Sequence, residues 1–324
     1  MNIRTLMPCV YIFFLIGVIV DCYILIKSYT PHPGPGGYQI IDSWSDDISR
    51  PMSGENFHLA ILVDSKPQNV AYRSGIRRSW GNSKSTSSKK AWDVFFIYAK
   101  HKNSTINRII TDEAEKKKDC LILDDVESKS IDAAKLVSGM KWLLDHTTFD
   151  YLLVTTDISY VNVNAAVRLL KQLEHDHRTT DTVTVAKTSK VRNMADKGGS
   201  GGNIIDSVYI GNVKAGAIDV GALVTSYSTV QYCTDLGYIL SRDVVSEIVQ
   251  LFLTIGHTPK KAKSDIFIGY MANKLQHTPV HSKFLEGARK CNEFKKLVMD
   301  PELSDSVRLK INKRITKLSN SVVC

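Results

Sequence analysis

Apolar positions along this chain alternate between short continuous runs and helical stripes. Residues 58–63 (HLAILV) read as a buried strand, and residues 93–99 (DVFFIYA) as a second. Between them, residues 70–80 carry Arg73, Arg77 and Trp80 at helical spacing. Residues 120–123 form a short third strand. Ala133, Leu136, Val137, Met140, Leu143 and Leu144 then follow the spacing of one helix face. Ser130 is the expected cap of that helix, with Asp132 in its first turn. Residues 151–155 (YLLVT) predict a fourth strand running out to Asp157. Asn162 is placed to cap a further helix with Ala166, Leu169, Leu170 and Leu173 inward.

This β-α-β-α-β-α order argues for an α/β fold with a mostly parallel sheet covered by helices. Ligands in such sheets bind beyond the carboxyl ends of strands, where Asp157 falls. Further on, residues 182–186 read as a strand and residues 196–203 (DKGGSGGN) as a surface loop. Ser241 is expected to cap a helix carrying Val244, Val245, Ile248, Leu251, Phe252 and Ile255, closed by Gly256. Ser264 is expected to start another, with Ile268, Met271 and Leu275 on one face. The tail repeats the pattern with Val307, Ile311, Ile315 and Leu318.

The first residues follow a different rule. Residues 10–20 are uninterrupted apolar, Asp21 breaks the run and residues 22–26 resume it. From residue 7 to 26 the stretch is long enough to cross a hydrocarbon core. It lacks a small-x-small cleavage site near its end, so a signal anchor is favoured over a cleaved signal peptide. Arg4 and the terminal amine bias the N-terminus to the cytoplasm. The expected order is a cytoplasmic tail at 1–6, a transmembrane anchor at 7–27, a Pro- and Gly-rich stem at 28–56 and a lumenal domain at 57–324. On the lumenal side Asn103-Ser104-Thr105 is a usable glycosylation sequon, with Asn103 the acceptor.

Composition changes this picture little. Hydrophobic residues are 43% and charged residues 23% of 324, which excludes wholesale disorder, collagen and a multi-span membrane protein. Lys+Arg 42 against Asp+Glu 33 gives +9, spread along the chain. No nucleic-acid-binding motif accompanies it, so a solvated basic surface is favoured and a polyanionic ligand stays open. Cys120, Cys233, Cys291 and Cys324 lie beyond the apolar segment, widely spaced and without a zinc pattern. Their pairing is undetermined by sequence. P-loop and Rossmann glycine patterns are absent.

Several segments together resemble beta-1,3-galactosyltransferase-like hexosyltransferases, glycosyltransferase family 31, which also includes beta-1,3-N-acetylglucosaminyltransferases. AILVDSKPQNVAYRSGIRRSWGN is similar to the family's first strand and R-x-x-I-R-x-T-W helix, through Ser65, Arg73, Ile76, Arg77 and Trp80, with Ser79 in place of Thr. DVFFIYAK resembles the second strand. Asp125 and Lys135 remain from the D-x-Y-x-N-L-x-x-K segment. QYCTDLGYILSRD resembles Y-C-x-G-x-G-Y-x-x-S, with Asp235 replacing the first Gly. SDIFIGYMANKL resembles the E-D-V-x-x-G helix, with Ser264 replacing Glu. The resemblance runs from about residue 58 to 317.

It implies a GT-A-like domain in the Golgi membrane, single-pass type II. The implied activity is inverting transfer of galactose or N-acetylglucosamine from a UDP-sugar to a hydroxyl of a glycan, glycoprotein or glycolipid, in beta-1,3 linkage, without nucleic-acid partners. The family carries three consecutive Asp at a strand end, where this chain has Thr155-Thr156-Asp157. The third position contacts Mn2+ or Mg2+ directly, so the resemblance makes Asp157 the metal ligand. Such a cation stabilises the diphosphate leaving group, and hard cations take oxygen ligands. Ser65, Arg73, Arg77, Thr156 and Asp157 become donor-binding residues, and Asp265 the general base. For Arg73 and Arg77, the residues themselves leave open whether they meet phosphate or pair with carboxylates. For Trp80 core packing is favoured. Lys135 is open between donor contact and helix surface. A late metal-binding His of the family corresponds to Asp300 here; His277 and His281 are nearby and unassigned. The eroded acidic trio sustains a second reading, a catalytically inactive binding module or chaperone.

Overall fold

The computed structural model describes residues 56–82, 91–179, 207–219, 227–255, 263–286 and 298–299. The expected transmembrane segment, most of the stem, the strand at 182–186, the loop at 196–203, Gly256, Cys291, Asp300 and the tail stripe lie outside the described residues. Among the described residues no helix is long and apolar enough to cross a membrane.

Strand and helix alternate as the pattern required. β1 (Asn56–Asp64), α1 (Val70–Arg78), β2 (Trp92–Lys100), α2 (Ser104–Lys117), β3 (Cys120–Val126), α3 (Asp132–His146) and β4 (Thr148–Thr156) build a parallel half-sheet. A two-residue β5 (Tyr160–Val161) and α4 (Val163–Thr179) follow. The chain then turns antiparallel through β6 (Tyr209–Asp219) and β7 (Tyr227–Ser241), followed by α5 (Arg242–Ile255), α6 (Ser264–Lys274) and β8 (Val280–His281). The seven-stranded order is β3-β2-β1-β4-β7-β6-β8, with four of six neighbouring pairs parallel. β5 pairs separately with β9 (Val298–Met299).

β1 is continuous in apolar residues because both its faces are covered. Ala60 and Leu62 pack with α3, α5 and α6, whereas Leu59, Ile61 and Val63 pack toward α1, α2 and α4. Trp80 is buried in the second of these layers, as core packing predicted.

Three elements were not legible in advance. α2 shows a thin inward stripe, Ile110, Glu113 and Ala114, and one of the three is charged. The first half of β7 is largely exposed and rich in Ser, Thr and Gln, so neither alternation nor a long apolar run marks it. β6 carries two glycines and a register shift between Gly211 and Val213.

Two expected caps are corrected. The Ser130 hydroxyl meets that of Ser128 at 2.9 Å, and α3 begins after an Ile131 N-cap that has no side-chain acceptor. Ser241 directly precedes α5 as expected, but its Oγ accepts the Val208 N–H at 2.8 Å, so the hydroxyl is held by the sheet. Ser264 starts α6, as expected, after Lys263 at the N-cap. Asn162 does cap α4, its Oδ1 accepting from Ala165 N–H at 3.2 Å.

α6 lies unusually close to β7, and Gly269 permits it. A Cβ there would sit 2.4 Å from Tyr232 Cβ and 2.9 Å from the Gln231 carbonyl oxygen. These are backbone or near-backbone atoms that cannot swing away. Gly269→Ala is therefore expected to destabilise the fold by about 1–3 kcal/mol, the usual cost of overpacking. The measurement is a chemical denaturation midpoint; an unchanged midpoint refutes the close contact.

Candidate functional site

Two strand ends and one helix start define the site. β1 ends at Asp64 and leads into Ser65. β4 runs beside it in parallel, with Asp64 opposite Thr156, so Asp157 emerges next to Ser65. The Asp157 N–H donates to the Asp64 carbonyl at 3.2 Å, which ties the two ends together.

Asp157 is 6% exposed. Its Oδ2 accepts from the Ser65 hydroxyl at 2.6 Å and from Asn69 Nδ2 at 2.9 Å. Asn69 is the N-cap residue of α1, and its side chain serves Asp157 instead of its own helix. Both hydrogen bonds fall on Oδ2, so Oδ1 is the oxygen available to a cation.

The lost acidic positions have other tasks. Thr155 is buried and its hydroxyl donates to the Leu236 carbonyl at 2.7 Å, joining β4 to β7. The Thr156 hydroxyl meets Ser159 Oγ at 3.0 Å. Among the described residues no three His, Cys, Asp or Glu side chains gather as a metal cluster. A donor set of one oriented carboxylate oxygen fits a cation that arrives bound to a diphosphate. It does not fit a resident ion, because Mg2+ or Mn2+ takes about six ligands.

Beside Leu236 lies Asp235, and against it lies the start of α6. Asp265, 6% exposed, is the second residue of that helix. Its Oδ1 accepts from Ile266 N–H at 2.8 Å, and the Asp235 backbone lies close enough to lower its pKa. Burial raises the Asp265 pKa above the usual carboxylate value and the Asp235 charge raises it further; its hydrogen bonds and Lys263 oppose this. A buried carboxylate with a raised pKa suits a general base working near neutrality. Thus Asp157 follows the end of β4, and Asp265 opens α6 against the neighbouring strand β7.

Arg73 and Arg77 are both in carboxylate pairs. Arg73 is fully buried, and all five of its N–H groups have partners. Nε and Nη2 meet Glu113 at 3.0 and 2.6 Å, Nη1 reaches Ser65 Oγ at 2.8 Å and the Lys66 carbonyl at 2.6 Å, and Nη2 also reaches the Pro67 carbonyl at 3.2 Å. Arg77 binds Glu113 at 2.6 Å and Asp119 at 2.7 and 2.8 Å. Burial alone would raise Glu113's pKa, but the two arginines outweigh it and hold the carboxyl below the usual value.

Lys135 is neither exposed helix surface nor open to a ligand. It is buried with Nζ at 2.8 Å from Asp64 Oδ1 and 2.6 Å from Glu127 Oε1. Burial opposes the ammonium, yet Asp64 and Glu127 raise its pKa above the usual lysine value. His277 pairs with Glu247 at 2.8 Å and His281 with Glu286 at 3.1 Å. Cys120 and Cys233 are buried free thiols, with burial pushing Cys233 up to about 12.

Asp64, Asn69, Glu113 and Glu127 escaped the sequence reading. Glu113 carried a usable signal, since it shares a helix face with Ile110 and Ala114 at i+3 and i+4. A charge on an apolar stripe implies a buried partner. Asn69 also had one, as a capping residue type directly before a helical stripe.

A mixed α/β fold with a mostly parallel central sheet and flanking helices is consistent with the GT-A architecture. The galactosyltransferase family pattern matches residues 71–283, and this chain belongs to that family. It is 22% identical over 227 residues to the UDP-GalNAc:beta-1,3-N-acetylgalactosaminyltransferase 1 of Rattus norvegicus, covering 69% of this chain and 62% of that protein. The Homo sapiens protein of the same name is 24% identical over the same shares. Beta-1,3-galactosyltransferase 1 of Mus musculus is 23% identical over 67% of this chain and 60% of its own length. The chain thus matches about three-fifths of the length of these relatives.

Proposed function

We propose that this chain is an inverting glycosyltransferase that moves a hexose from a UDP-sugar to a glycan hydroxyl, with a beta-1,3 linkage by family resemblance. The sugar is galactose or an N-acetylhexosamine, the classes named in its relatives. The observation that carries this reading is Asp265, a buried carboxylate with a raised pKa, opening α6 against β7, the strand next to the one that Asp157 follows.

In this reading Asp265 takes the proton of the acceptor hydroxyl as that oxygen attacks the anomeric carbon. The bond from that carbon to the diphosphate breaks on the opposite face, UDP leaves, and the configuration inverts. Asp157 is the residue that would hold Mn2+ or Mg2+ arriving with the diphosphate. When bound, the cation neutralises charge on the leaving group. Ser65 and Asn69 keep the Asp157 carboxylate turned. Arg73 and Arg77 support this edge from within, and Thr156 is placed for a ribose contact.

Titrating the full-length protein in detergent with UDP, with and without Mn2+, tests the donor site. Tight binding that requires the metal is expected. A second reading, an inactive binding module, is favoured by the internal hydrogen bonds of Thr155 and Thr156. UDP binding without transfer to any acceptor supports it.

The Asp235 charge gives a pH test. Removing it by Asp235→Asn lowers the Asp265 pKa, so the base stays ionised to lower pH. The acid limb of the kcat/KM profile is expected to move down. A limb that stays in place removes Asp235 from control of the base.

The same proposal places residues 7–27 in the Golgi membrane as an anchor and exposes Asn103 to the lumen. Asn103 is exposed and caps α2, its Oδ1 accepting the Thr105 N–H at 2.8 Å. Thr105→Ala is expected to remove the glycan while keeping the cap. Asn103→Ala removes both and costs a further ~1 kcal/mol. Endoglycosidase mobility shifts and melting curves separate the two; a wild type without any shift refutes the lumenal placement of Asn103.

A further inference from the structure

Arg73 cannot act on a ligand by contact, because every N–H it carries is already spent inside the protein. Its position on Ser65 nevertheless has a chemical consequence. A serine hydroxyl has one proton to give, and an arginine can only donate. Ser65 Oγ therefore accepts from Arg73 Nη1 at 2.8 Å and turns its proton elsewhere. The Asp157 Oδ2 acceptor lies 2.6 Å away. The alternative, the Lys66 carbonyl, is 3.5 Å away and already takes an Arg73 N–H at 2.6 Å. Glu113 holds the other edge of the same guanidinium with two contacts, at 3.0 and 2.6 Å, and Arg77 holds Glu113 in turn. Tyr98 lies beneath Arg73, with its ring centroid 4.2 Å from the guanidinium carbon.

We propose that Glu113 and Arg73 are positioning residues that act through Ser65 to lock Asp157 with Oδ2 inward and Oδ1 toward the cation. The proposal rests on Asp157 as the metal ligand of the transferase reading. With a single carboxylate at the site, orientation matters more than in a cluster of three. If the hydroxyl turned away, Oδ2 would lose a donor and the carboxylate could rotate. Asn69 would then be the remaining clamp. Outer partners of metal ligands typically contribute about 10–100-fold to affinity.

The test is calorimetric titration of the full-length protein in detergent with UDP, once in excess Mn2+ and once in EDTA. Ser65→Ala and Arg73→Lys are each expected to lower the Mn2+-dependent UDP affinity about 10-fold or more, with binding in EDTA unchanged. Because the two act in series, the double variant is expected to lose no more than the worse single one. Ser65→Ala leaves the Arg73–Glu113 pair intact, so it reads the relay even if Arg73→Lys fails to fold. Glu113→Gln then takes the place of Arg73→Lys in the cycle. Wild-type affinity in Ser65→Ala, additive losses in the double variant, or equal losses in Mn2+ and EDTA each overturn the relay while leaving the transferase reading in place. A wild type that binds no UDP in Mn2+ overturns both.

Discussion

Asp265→Asn is expected to lower the rate of sugar transfer by about 10²–10⁴-fold, the range a positioned general base supplies. UDP affinity in Mn2+ should stay at the wild-type level, because in this reading Asp157 and not Asp265 holds the donor's cation. Asparagine is nearly isosteric and can still accept the Ile266 N–H that now meets Oδ1 at 2.8 Å. It cannot take a proton from an acceptor hydroxyl. The replacement also removes a buried charge beside Asp235, so the variant should be at least as stable as wild type near neutral pH. That combination distinguishes chemistry from structure. Wild-type transfer in Asp265→Asn removes the residue from the mechanism. Loss of transfer together with a large fall in melting temperature points instead to a role in starting α6.

The second large effect concerns the strand end that has lost two carboxylates. Asp157→Ala is expected to abolish the metal dependence of UDP binding, since among the described residues no cluster of three or more His, Cys, Asp or Glu side chains is there to hold an ion without it. Restoring the acidic residues is not symmetrical. Thr155 is 1% exposed and donates to the Leu236 carbonyl. An ionised Asp cannot donate, so Thr155→Asp would set a buried charge against a carbonyl oxygen. The expected loss is at least ~1–3 kcal/mol of stability. Thr156 is only half-buried and lies opposite Asp64, which shares the Lys135 ammonium with Glu127, so a charge there keeps access to water. Thr156→Asp should therefore fold and strengthen Mn2+-dependent UDP binding. The double replacement should do no better than Thr156→Asp alone. If Thr156→Asp binds UDP no more tightly in Mn2+ than the wild type, the vacant acidic position does not face the donor.

Much of the scaffold could be read before the structure. The first four strands, the α3 stripe and the Asn162 cap depend on near-neighbour rules, and each was placed to within a few residues. The Ser130 and Ser241 caps failed because a serine beside a helix start takes whichever partner its surroundings present. For Ser130 that partner is the neighbouring Ser128 hydroxyl. For Ser241 that partner was the Val208 N–H, 33 positions away. α2 was missed because its inward face holds a charge, and the first half of β7 because it is exposed on its outer reaches.

The site was legible only in part. Asp157 stood out as a carboxylate after an apolar strand, and family resemblance picked out Ser65, Arg73, Arg77 and Asp265. What each of them touches was not visible. Arg73 and Arg77 read equally well as phosphate ligands or as ion pairs, and the choice turned on Glu113, 40 and 36 positions away.

The chain by itself therefore determined the alternation of strands and helices and the strand end that carries Asp157. Those features follow from burial on two faces, which writes a local apolar code into each segment. Tertiary structure alone decided the partnerships. Ser65 meets Asp157 across 92 positions because β1 and β4 lie side by side in parallel register. Asp265 meets Asp235 because Gly269 lets α6 approach the β7 backbone. A hydrogen bond or a raised pKa depends on which groups come within a few ångströms, and separation along the chain carries no trace of that distance.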